Sequence, residues 1–166
     1  MRRALIWLGA VYVFGCFYVM IEQKESLRRN GLTIYLALAP VDPRSPLQGD
    51  YMALTYDVTN AVAKIQSDNQ AVDLPTHGTL VVALDDKSVG HFVRIFKGSA
   101  LAPGEHLLKY YRPHWDFTIG AENYFIPEGS GEAFAKAAYG ELKVSPDGTP
   151  ILIALCDKDR QRIPVP

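Results

Sequence analysis

Apolar residues are distributed along this chain in two different periods. Ala4 to Ile21 is an uncharged run of 18 residues with no polar face. As a helix it would extend about 27 Å, close to the roughly 30 Å hydrocarbon core of a bilayer. Glu22 to Asn30 is charged and continues that helix as a collar, and Gly31 breaks it. From Leu32 the period falls to two: Leu32, Ile34, Leu36 and Leu38 alternate with Thr33, Tyr35, Ala37 and Ala39, the pattern of a half-buried strand. Tyr51 to Val58 predicts a second strand, with Met52, Leu54, Tyr56 and Val58 on one face. Thr59 to Gln70 predicts a short helix capped by Asp57 or Thr59.

Further strands are expected over Thr79–Leu84, Val89–Lys97, Glu105–Arg112, Trp115–Ile119 and Asn123–Ile126. Ser130–Tyr139 predicts a helix with Ser130 as its cap. Glu141–Val144 and Ile151–Cys156 form a hairpin around Ser145-Pro146-Asp147-Gly148-Thr149, with Pro at a turn start and Gly where φ is positive. There are no long crossover helices, which disfavours a parallel α/β sheet. The expected fold is mainly β (α+β): a transmembrane helix, then a curved antiparallel sheet closing into a small barrel or sandwich with one or two short helices. The expected divisions are a tail over 1–3, the anchor over 4–21, the collar over 22–31, the domain over 32–158 and a flexible tail over 159–166.

Composition adds limits. The chain has 166 residues, 48% hydrophobic and 21% charged, enough for one ordinary domain. A net charge of -1 supplies no field that would attract nucleic acid. Trp7, Tyr12 and Tyr18 suit membrane interfaces. Met20-Ile21-Glu22-Gln23-Lys24 lacks the small-x-small site of a cleaved signal peptide. A lipoprotein site at Val13-Phe14-Gly15-Cys16 would place Cys16 inside the apolar run rather than at its end. An uncleaved anchor is the expectation. Arg2 and Arg3 precede it and Lys24, Arg28 and Arg29 follow it, so positive charge is nearly balanced. The short amino-terminal tail favours an extracytoplasmic domain. Cys16 in the anchor and Cys156 in the domain would not pair, and two cysteines offer no metal quartet.

Pro40-Val41-Asp42-Pro43-Arg44-Ser45-Pro46-Leu47-Gln48-Gly49-Asp50 reads as a rigid turn leading into the second strand. Parity places Met52, Leu54 and Tyr56 inward and Tyr51 outward. Asp50 shares the inward side and needs donors from the turn amides or from Arg44. Arg44 and Tyr51 are the candidate contact residues. Gly49-Asp50-Tyr51-Met52-Ala53-Leu54-Thr55-Tyr56 resembles the octet of the bacterial GDYXXLXY family at every fixed position. Asp42, Pro43 and Arg44 also resemble that family. So do Glu128-Gly129-x-Gly131 and Tyr139-Gly140-Glu141-Leu142, and the resemblance covers essentially the whole chain. It implies a bacterial membrane-anchored protein, which together with the orientation expected from the short tail gives the inner (cytoplasmic) membrane with the domain on the periplasmic side as the expected location. It also implies a multi-span membrane protein as a companion, and no established catalytic residues, cofactor or metal.

Other chemistries fit less well. Ser45 resembles the nucleophile of membrane-bound Ser/Lys signal peptidases, yet it stands between Arg44 and Pro46 with no lysine marked as its base. Glu128 and Glu132 would make a carboxylate pair for glycoside chemistry, but both flank a helix start where acids favour the dipole. Phosphate at Gly129-Ser130-Gly131 would meet the same acids. His77, His91, His106 and His114 lack ligand spacing, although His91 and His106 would meet if their strands were adjacent. Trp115, Phe117, Tyr124 and Phe125 would line a barrel mouth as a small-ligand site. A binding or accessory module for a membrane-protein partner is the leading expectation.

Overall fold

The computed structural model describes residues 2–39, 51–68, 74–113, 116–126 and 130–164; the side chains of residues 2–6 and of Tyr51 lie outside that description. The chain opens with α1 (Arg2–Asn30), a single helix of 29 residues. Gly31 follows, and β1 (Leu32–Ala37) begins at the next residue. Then come β2 (Tyr51–Ala53), α2 (Asp57–Asp68), β3 (His77–Leu84), β4 (Gly90–Ile95) and β5 (Glu105–Tyr111). β6 (Asn123–Phe125), α3 (Gly131–Phe134), β7 (Tyr139–Val144) and β8 (Pro150–Cys156) complete the order.

The strands form three antiparallel sheets, ordered β1-β7-β8, β2-β6 and β4-β3-β5. The sheets do not close into a barrel. They meet through single bridges: Tyr35 with Val89, Leu38 with Tyr56, and Tyr111 with Thr118. Their inner faces share one core. Ile34 and Leu36 come from β1, Leu80 and Val82 from β3, Leu108 from β5, Leu142 from β7 and Leu155 from β8. Tyr56 and Phe134 are its largest fully buried side chains.

Three expected elements are corrected. The second strand does not run to Val58 but stops at Ala53, because the Tyr56 carbonyl becomes a helix acceptor. It takes the amides of Thr59 and Asn60 at 3.1 and 3.2 Å and the Thr59 hydroxyl at 2.7 Å. Asp57 then stands in the first turn of α2, where a carboxylate favours the helix dipole. The helix expected over Ser130–Tyr139 is one turn; Ser130 occupies the N-cap but makes no side-chain cap bond. Tyr139 instead opens β7, opposite Ala37. No strand spans 116–119, where only Thr118 bridges to Tyr111.

α1 joins the domain without a spacer. The Lys143 ammonium of β7 donates to the Gly31 carbonyl at 3.1 Å and to the Thr33 hydroxyl at 2.9 Å. A cation at a helix C-terminus also complements the dipole. In the collar, Arg28 and Arg29 both pair with Glu25. Among the described residues no helix is long and apolar enough to cross a membrane. The apolar run of the sequence opens at Ala4, among the positions whose side chains are not described.

The β7–β8 hairpin closes on Gly148, at φ +88°. A Cβ there would stand 3.0 Å from the Leu107 backbone, and the Gly148 carbonyl accepts the Lys109 amide at 2.8 Å. The Gly148→Ala variant is therefore expected to lose about 1–3 kcal/mol, since both its φ and its space are denied to a side chain. Chemical denaturation would check this; an unchanged midpoint would show that the hairpin does not depend on that conformation.

Candidate functional site

The motif strand is held from three directions. Leu54 is buried, and its amide donates to the Glu122 carbonyl at 2.7 Å. The Tyr56 side chain is fully buried and its hydroxyl donates to the Ala121 carbonyl at 2.6 Å. Burial pushes that phenol's pKa far above its ordinary value, so it stays a neutral donor. Gly140 of β7 lies against the same ring; a Cβ there would come within 3.0 Å of the Tyr56 Cε1 atom. Tyr56 and Gly140 belong to two different motif segments, and each shapes the space of the other.

The remaining motif positions are distributed as follows. Met52 is partly buried against the core. Tyr51 pairs with Phe125 across β2 and β6. Leu142 is fully buried and Tyr139 half-buried. Gly131 opens α3 with nothing near enough to oppose a side chain. Asp42, Pro43, Arg44, Ser45, Gly49, Asp50, Glu128 and Gly129 lie outside the described residues. The contact expected at Arg44 and the nucleophile considered at Ser45 therefore have no described geometry.

A cleft of about 240 Å³ adjoins the motif strand. Leu54, Thr55, Thr59, Asn60 and Ala63 line one side, and Asp116, Phe117, Thr118 and Glu122 the other. The far wall is a fastened loop. The Glu122 carboxylate accepts the Ile119 amide and, at 2.9 Å, the Ala121 amide. The Thr59 and Thr118 hydroxyls donate to the Tyr56 and Tyr111 carbonyls. The side chains of Thr59, Thr118 and Glu122, half of the polar lining, thus serve the loop and the helix start.

Glu141 forms a second polar centre, on the opposite face of β7 from Leu142. It is a carboxylate in a residue only 4% exposed. Arg162 binds it with both prongs, Nε to Oε2 at 2.6 Å and Nη2 to Oε1 at 2.8 Å. This bidentate pair lowers the Glu141 pKa below its ordinary value and raises that of Arg162. Cys156 lies beside it, Sγ 3.9 Å from Oε2. Burial, and then the neighbouring carboxylate, push the Cys156 thiol up to about 11, so it is a poor nucleophile in this setting. Tyr35 stands across the ladder from Glu141 and is pushed up by burial first and Glu141 second. Sequence reasoning marked Glu141 but missed Arg162. The two are 21 residues apart, and Arg162 lies within the stretch expected to be a flexible tail.

The other candidates disperse. His91 and His106 sit on β4 and β5, with β3 between them, so they do not meet. His77 stacks on Tyr111 at 4.6 Å between ring centres, and His91 lies 3.6 Å from Asp85. His114 is outside the described residues. No group of three or more His, Cys, Asp or Glu side chains among the described residues is arranged to hold a metal. The aromatic lining expected for a barrel mouth does not assemble. Phe117 packs in the core on Tyr110, Tyr124 packs on Phe134, Phe125 is 79% exposed, and Trp115 is outside the description.

A mainly β domain of three antiparallel sheets, carried on a long helix and built around a motif tyrosine, defines the class of this protein. The GDYXXLXY protein family model matches residues 13–155, most of the chain, and the chain belongs to that family. Comparison with curated proteins and with solved structures finds no match.

Two outcomes test this geometry. Tyr56→Phe leaves the buried Ala121 carbonyl without its donor and is expected to cost about 1–3 kcal/mol of stability, measured by denaturant unfolding with an unchanged slope. Glu141 ionises more readily when folded, so its contribution is complete above the ordinary carboxylate value near 4.5 and fades as pH falls below it. The stability gap between wild type and Arg162→Ala should hence be constant near neutrality and shrink below that value. A gap that stays constant into acid would sink the assignment.

Proposed function

We propose that this protein is a single-pass membrane-anchored accessory module, with α1 as the anchor and the β domain as the part that engages a membrane-protein partner. One observation carries the reading. Between Trp7 and Ile21, eleven large apolar side chains are between 49% and 73% exposed. They include Val11, Tyr12, Val13 and Phe14 in succession, which at about 100° per residue point to every side of the helix. Burying each such side chain is worth about 1.5–3 kcal/mol, so their sum exceeds the marginal stability of a whole domain. Lipid is the environment that accepts an all-round apolar surface. The exposed Phe125, paired in register with Tyr51, supports the β2–β6 ribbon as a contact surface beside the motif.

The family resemblance adds a multi-span membrane protein as the kind of partner, and the short amino-terminal tail favours the bacterial inner membrane with a periplasmic domain as the location.

Fractionation tests the anchor. The full chain should stay with membranes through alkaline carbonate washing, and deletion of residues 1–30 should release the domain. Full extraction of the intact chain by carbonate would overturn the reading. A reporter fused after Pro166 should be active only outside the cytoplasm. Arg44→Ala with Tyr51→Ala should weaken co-purification of the membrane partner; unchanged recovery would remove the contact role of that turn.

A further inference from the structure

β8 does not end the fold. Asp157 turns the chain sharply. Its carboxylate accepts the Asp159 and Gln161 amides, both at 2.9 Å, and its amide donates to the Gln161 carbonyl at 3.0 Å. Arg160 adopts φ +59°, a conformation that side-chain-bearing residues seldom take. The chain then returns antiparallel to the end of β8. Arg162 bridges Cys156, and the Ile163 amide donates to the Leu155 carbonyl at 2.9 Å.

This segment runs beside β8, the edge strand of the β1-β7-β8 sheet, and one of its side chains reaches over the sheet to Glu141 of β7. There the Arg162 side chain, 61% exposed, caps the Glu141 carboxylate, whose side chain is 6% exposed. Cys156 is fully buried beside it. The β7–β8 and β1–β7 ladders do not use Arg162, so Glu141 keeps its pairing with Tyr35 and Ala154, and Cys156 its pairing with Tyr139, whether or not the segment is seated; only the Arg162 bridge to Cys156 leaves with it. A turn with a left-handed residue on one side and one bidentate ion pair on the other fasten the segment to the sheet.

We propose that Asp157–Ile163 is a latch, closed by Arg162 on Glu141, that opens as a unit and bares Glu141 and Cys156 while the three sheets stay folded. In the closed position the thiol is shielded; in the open position a carboxylate and a thiol face solvent together, and a partner's cationic side chain has the place Arg162 leaves. Opening gives up the Arg162 pair, the short backbone pairing with the end of β8 and the contact of one partly buried core-edge side chain, Ile163, while the sheet ladders are kept, so the latch is governed by local opening and not by global unfolding.

The test uses the full chain in detergent micelles with Cys16→Ser, leaving Cys156 as the one thiol. Its alkylation by N-ethylmaleimide is followed against urea concentration. A latch gives a rate that is flat at low urea and joins the global unfolding line only near the transition. Arg162→Ala should raise the flat rate at least tenfold with little movement of the urea midpoint, and Arg162→Lys should fall between. A wild-type rate that follows global unfolding at every urea concentration overturns the proposal, whatever the variants do. So does an unchanged rate in a folded Arg162→Ala protein. The result is independent of membrane anchoring, so its failure leaves the accessory-module reading standing.

Discussion

The packing of the Tyr56 side chain sets the arrangement of everything around it. Its backbone bridges Leu38 at the end of β1, its carbonyl starts α2, its hydroxyl holds the Ala121 carbonyl ahead of β6, and its ring lies on Gly140 of β7. Two of the three sheets and one helix therefore converge on a single fully buried residue. A buried hydroxyl must find an acceptor, and a ring of that size needs a glycine where β7 passes. These requirements make Tyr56 and Gly140 a matched pair although they stand far apart in the chain. The burial of the motif's last tyrosine, its hydroxyl bond and its fit to Gly140 give that position a packing role.

A second layer of interactions works on the outer face of the β1-β7-β8 sheet. Lys143 closes the C-terminus of α1, and Glu141, two residues earlier on the same strand, is closed by Arg162. β7 thus connects the C-terminus of α1 with the segment that follows β8. Removing one partner of a buried, paired charge is far more damaging than its exposure at the surface would suggest, because the remaining charge is left in low dielectric. The cleft beside the motif strand depends on a similar economy of polar groups: Glu122 spends its carboxylate on the loop that forms the wall.

Much of the strand layout was legible in the chain. The period-two alternation in Leu32–Leu38 and the Ser-Pro-Asp-Gly-Thr turn correspond to β1 and to the β7–β8 hairpin. What failed has identifiable causes. Tyr51–Val58 kept its inward-facing even positions, but its strand ends at Ala53 and the chain turns helical after Tyr56, whose carbonyl the helix claims. Ser130–Tyr139 has helical composition, yet β7 needs Tyr139 to pair with Ala37, and tertiary pairing overrides propensity. The closed barrel failed because the ladders are short and meet through isolated bridges. His91 and His106 were separated by strand order, which local pattern does not encode.

The sequence by itself determined the all-round apolar helix, the period of most strands, the glycine turn and the family, because each depends on residues close together in the chain. Tertiary structure alone decided that Tyr56 meets Gly140, that Arg162 closes on Glu141, and that the sheets share a core without closing. Those depend on distant segments converging in space, where burial makes a hydroxyl or a carboxylate demand a partner that no local pattern names.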